Sequence, residues 1–159
     1  MELAPALIIT GTGATLVMDL GSLVRRRLFA TPLPNYSLVG RWVAHSVRGR
    51  MRHAAIAKSP PMRGELALGW LTHYAVGIVF AGVLALVAGH EWFAQPTLGP
   101  ALATGIATVL VPFLVMQPAM GSGFAASRTP RPAAARLQSL LSHTIFGAGL
   151  YLAALACNT

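Results

Sequence analysis

Charge is scarce in this chain, acid scarcer, and cysteine nearly absent. Only 10% of the residues are charged while 55% are apolar, and the mean hydropathy is positive. A soluble domain carries about 25% charged residues, so water is not the main solvent of this protein. The single cysteine, Cys157, excludes an intrachain disulfide, a CxxC pair and a Cys/His zinc pattern. A secretory leader would open on basic residues. Here Glu2 precedes the first apolar run and Arg25-Arg26-Arg27 follows it, so no cleavage is expected. The 159 residues contain no internal repeat and no low-complexity tail.

Twelve basic residues against four acidic ones leave a net charge of +8. A nucleic-acid binder spreads Lys and Arg over a solvated face. In this chain the basic residues sit in segments between long uncharged stretches, so nucleic acid is not an expected partner. Eleven arginines to one lysine, with abundant alanine, fit a GC-rich bacterial genome.

The long apolar stretches are what dominates. A bilayer core takes about 20 mostly apolar residues per helix. Four segments meet that length: Leu3 to Val24, Glu65 to Gly89, Leu98 to Gln117, and Leu137 to Cys157. They exceed the roughly ten residues of a barrel strand and lack period-two alternation. The expected fold is therefore all-α, a polytopic membrane protein with four transmembrane helices in an antiparallel bundle, forming one domain over 1–159.

Every basic residue falls between spans one and two (nine residues) or between spans three and four (three residues). By the positive-inside rule both basic segments face the cytoplasm and both termini lie in the periplasm. The expected location is the bacterial inner membrane.

The first basic segment acquires a helical period over 37–57, after Thr31-Pro32-Leu33-Pro34. Leu38, Val39, Trp42, Val43, Val47 and Met51 recur at spacings of three and four, and Arg41, His45, Arg48 and Arg52 form the opposite stripe. A helix with Trp on one face and Arg on the other suits the plane of an anionic leaflet. The same arginine stripe could instead grip an acidic partner or a phosphorylated ligand. His45, His53 and His90 are expected as solvated side chains. The second basic segment, around Gly121-Ser122-Gly123, lacks P-loop spacing and is expected to be a compact irregular loop.

Three ionisable residues lie inside the spans: Asp19, His73 and His143. A charge at the bilayer centre costs about 3 kcal/mol or more, so such groups face other helices and pair with one another or with water. Counted from Arg25, Glu65 and Arg136 at 1.5 Å per residue, they stand roughly 9, 12 and 10 Å from the basic side. They are thus expected to share one layer, with Gln117 near it. Small residues accompany them at fourfold spacing, Gly69 and Gly77 around His73, Ser139 and Gly147 around His143, which marks close helix approach.

Such a cluster could be interhelical glue alone. It could also hold a divalent metal such as zinc, iron or manganese, relay protons, or ligate a haem through two histidines. Met18, Met116 and Met120 lie close to the layer, but methionine is usually a gap filler. Pro112 is expected to kink span three.

The runs Gly11 to Asp19, Gly40 to His45, Gly64 to Tyr74, Pro96 to Pro100, Met116 to Gly121 and Ser142 to Gly147 resemble the bacterial integral membrane proteins grouped as domain of unknown function 2938. The resemblance covers nearly the whole chain. It implies a four-span inner-membrane protein and brings no activity, cofactor or functional residue.

The expected role is therefore a binding or accessory protein whose polar layer holds a small ligand, metal or proton. It would work as a homo-oligomer or with a partner protein, in contact with anionic lipids. A membrane redox subunit binding haem or quinone and a small transporter subunit are the alternatives. An enzyme using Asp19 and a histidine as acid and base lacks a nucleophile or metal motif to support it.

Overall fold

A computed structural model describes residues 2–158, and every regular element among them is helical. Six α-helices follow one another: α1 (Leu3–Phe29), α2 (Tyr36–Val47), α3 (Glu65–Ala88), α4 (Leu98–Ala107), α5 (Gln117–Met120) and α6 (Pro132–Ala156). Single tight turns at Ile56–Lys58, His90–Phe93 and Phe124–Ala126 punctuate the connections, and a π-turn covers Pro112–Met116. Four stretches are long and apolar enough to cross a membrane: α1, α3, Leu98–Met120 and α6.

The helix ends follow local chemistry. Pro32 and Pro34 lie beyond α1, and Ala30 ends it in the left-handed conformation at φ 52°. α1 ends at Phe29, five residues past the expected Val24, and keeps Arg25 to Arg27 within the helix, because arginine is a good helix former and a cation suits the negative end of the helix dipole. Met62 N–H donates to Glu65 Oε2 at 2.9 Å, closing the start of α3 in the manner of a capping box. Pro132 opens α6 five residues before the expected Leu137, since a missing N–H costs nothing in a first turn.

The Asn35 side chain caps α2 by accepting from Ser37 N–H at 3.1 Å. α2 ends at Val47, ten residues short of the expected 57, where Gly49 adopts φ 81°. Residues 48–55 are irregular. Pro112 cannot donate to the ladder, and the chain answers by widening: Gln117 N–H reaches the carbonyl of Pro112 itself. The expected kink takes this form.

Contacts divide the chain into two compact units. The first comprises residues 1–33, 74–108 and 140–159. Its core is alanine-rich, with Ala6, Ala14, Ala81, Ala101 and Ala154 packed beside Leu84, Phe146 and Leu150. Its helices touch through glycine: a Cβ on Gly11 would stand 2.5 Å from the Cα of Ile78, and one on Gly149 2.8 Å from the Cα of Ala14. Trp92 and Phe93 join this core, and Trp92 Nε1 donates to the carbonyl of Thr97 at 3.2 Å.

The second unit comprises residues 34–73 and 109–139. Here α2 crosses the first turns of α3 with Gly40 against the backbone of Glu65 and Gly69 against that of Tyr36. The segment after α2 is tied down by His53 N–H, which donates to Ala119 O at 2.8 Å. Gly121, at φ 95°, lies against the backbone of Ala54.

Candidate functional site

The ionisable groups within the four long apolar stretches each receive a partner from a neighbouring helix. In the first unit, Tyr74 of α3 donates its hydroxyl to Asp19 Oδ2 at 3.1 Å. On α6, His143 is buried and its Nδ1 stands 2.8 Å from Thr108 Oγ1. Thr108 Oγ1 is also 2.6 Å from the Gly105 carbonyl. That second contact assigns the protons. A carbonyl can only accept, so the one hydroxyl hydrogen of Thr108 goes to Gly105 O, and Thr108 must accept from His143. His143 therefore donates Nδ1–H to Thr108.

Around this pair the surroundings are aromatic and small. The ring centroid of Phe80 is 6.4 Å from that of His143, and Gly105 meets the backbone of His143 and Gly147. One residue earlier on α6, the Ser142 hydroxyl accepts from Arg25 Nη2 at 2.7 Å. Arg25 also reaches Ser22 Oγ at 3.1 Å and Gly21 O at 3.3 Å, so this guanidinium ties the C-terminal part of α1 to the middle of α6.

In the second unit, His73 Nε2 lies 2.9 Å from the Tyr36 hydroxyl. The Tyr36 ring packs on both neighbours, its centroid 4.4 Å from His73 and 4.3 Å from Trp70. Gln117 belongs to this unit as well, and its side-chain Oε1 is buried with no hydrogen-bond partner among the described residues. Among the described residues no three His, Cys, Asp or Glu side chains gather in an arrangement that could hold a metal ion.

The polar stripe of α2 turns toward its own unit. Arg41 forks onto Glu65, with Nη2 2.7 Å from Oε1 and Nε 2.8 Å from Oε2. Its Nη1 donates to the carbonyls of Ser59 and Ala57 at 3.1 and 3.3 Å. This hydrogen bonding to Glu65 raises the Arg41 guanidinium above its ordinary value, which keeps it cationic. Planar forked geometry matches carboxylate in a way that lysine cannot.

His45 and His53, expected as solvated, are buried. Each satisfies a carbonyl that an exposed histidine would leave to water: His45 Nε2 donates to Pro60 O at 3.2 Å and His53 Nε2 to Arg50 O at 3.0 Å. Their rings meet edge to face at 5.2 Å. His90 is exposed and pairs with Glu91 at 2.7 Å. Trp42 Nε1 donates to Met51 O at 2.9 Å, and Arg48 and Arg52 are exposed.

Sequence reasoning did not anticipate Tyr74, Tyr36, Thr108 or Glu65 as partners. Tyr74 follows His73 directly, and about 100° of helical rotation separates the two side chains. Thr108 carried a signal, standing one turn before Pro112 on the same stripe. Tyr36 and Glu65 carried none, because their partners lie 37 and 24 positions away.

Comparison with curated proteins and with solved structures gives no match. A family model does match, over residues 8–157. The chain belongs to that family, described as Protein of unknown function (DUF2938).

Proposed function

We propose that this chain is a small multi-pass protein of the bacterial inner membrane that binds a proton or a small polar ligand at Asp19 and His143 and works with a partner protein or a second copy of itself. The observation that supports it most is the proton assignment at His143. Thr108 spends its hydrogen on Gly105 O, so the buried imidazole keeps a proton on Nδ1 and would gain or lose one only at Nε2. The Asp19 carboxylate accepts from Tyr74 in the same unit. Two exchangeable groups on apolar helices are expensive to bury and are typical of ion and proton pathways. Both basic segments would face the cytoplasm and both termini the periplasm, from the distribution of arginine.

The test is nitrogen NMR of histidine-labelled protein in micelles. At neutral pH His143 should report the Nδ1-protonated tautomer, and acidification should convert it to the doubly protonated ring. Thr108→Val should abolish the tautomer preference and destabilise the protein by about 1 kcal/mol. A ring protonated at Nε2, or one that never titrates, would sink the reading.

A further inference from the structure

We propose that the basic end of α1 is a binding site for an anionic phospholipid, with an acyl chain along Leu20, Leu23 and Val24 and the phosphate held by Arg26 and Arg27. This rests on the reading of α1 as a membrane span. A groove of about 530 Å³ is lined by those five residues. Leu20, Leu23, Val24 and Arg27 recur at the spacing of one helix face, giving a track of about 10 Å.

The three apolar side chains are exposed by 60%, 49% and 53%, so no described part of the protein covers them. Arg26 and Arg27 are exposed and have no hydrogen-bond or ion-pair partner among the described residues. Their neighbour Arg25 differs, being engaged with Ser22 and Ser142.

Leu28 and Phe29 continue the exposed apolar surface beyond the arginines, and Ala30 then ends the helix. The two guanidinium groups are thus flanked by apolar residues on both sides along the chain. At a bilayer surface this arrangement holds the side-chain stems in the acyl boundary and the charged heads at the level of the headgroups. A phosphodiester is the complementary group there, since guanidinium binds phosphate oxygens in pairs. A free phosphate would use the arginines and ignore the leucine track, so the apolar lining favours the lipid.

Protein in phosphatidylcholine nanodiscs doped with phosphatidylglycerol, released and weighed intact by native mass spectrometry, gives the test. The wild type should retain phosphatidylglycerol over phosphatidylcholine. The Arg26→Gln/Arg27→Gln double variant should lose roughly tenfold in that retention. Arg26→Lys/Arg27→Lys, which keeps the charge, should recover part of it. Leu20→Ser should weaken it, and Arg128→Gln/Arg131→Gln, at two exposed arginines elsewhere in the chain, should leave it unchanged.

Equal retention of both lipids by the wild type would overturn the proposal. So would an unaffected Arg26→Gln/Arg27→Gln variant, or a loss confined to the Arg128/Arg131 variant. Displacement by inorganic phosphate together with an unaffected Leu20→Ser would reassign the site to free phosphate. Resistance of the wild type to alkaline extraction from membranes tests the spanning of α1 separately.

Discussion

The two units of this protein hold together by different means. In the first, buried side chains are mostly alanine, leucine and phenylalanine, and helices meet where glycine lets backbones touch. In the second, the described buried apolar residues are few, Ile56, Val109 and Ala126. Order there comes from side chains that satisfy backbone groups: Arg41 on two carbonyls, His45 and His53 on one each, Trp42 on another. The contrast follows from solvent. Helices surrounded by lipid gain nothing from hiding leucine from leucine, so they gain from close van der Waals approach. A segment with irregular backbone must instead find a partner for every buried N–H and C=O.

Steric insertion into the first unit should have the largest effect. Gly105→Leu would drive a side chain into the Gly147 backbone, which cannot rotate away, so a loss of about 3 kcal/mol is expected. Thermal unfolding in detergent would show it. A midpoint unchanged from wild type would mean that glycine contact does not organise this unit.

Loss of the Arg41 fork should act on the second unit with a smaller effect. Arg41→Ala removes the guanidinium from Glu65, which keeps only the Met62 N–H, and from the carbonyls of Ala57 and Ser59. Faster trypsin cleavage between Arg48 and Arg63 is expected, with the unfolding midpoint of the apolar helices little moved. An unchanged cleavage rate would remove Arg41 from the account of how this segment is ordered.

The smallest expected effect has the opposite sign. Gly82 lies in α3 with nothing within 4 Å of an added Cβ. Gly82→Ala should stabilise by roughly 0.5 kcal/mol through backbone entropy alone. Destabilisation would show that this glycine, too, faces a close neighbour, such as a second copy of the chain.

Much of the architecture was legible beforehand. The four apolar stretches reappear as helices within a few residues at each end, and the exceptions have causes outside hydropathy. α1 runs on to Phe29 because membrane thickness limits an apolar run, while hydrogen bonding and proline limit a helix. α2 stops at Val47 because the heptad-like spacing of Val47 and Met51 says nothing about the turn at Gly49. The site was legible only in its residue types. α3 is apolar around its whole circumference, so no amphipathic face announced that Tyr74 turns to Asp19 or that His73 meets Tyr36.

What the sequence by itself determined was the number and approximate extent of the apolar stretches and the placement of every basic residue between those stretches. Both are set residue by residue, by transfer from water and by helix propensity. The tertiary structure decided which hydroxyl meets which ionisable group, and hence that His143 keeps its proton on Nδ1. That choice depends on the rotation and register of one helix against another, quantities that arise only when small residues bring the backbones into contact.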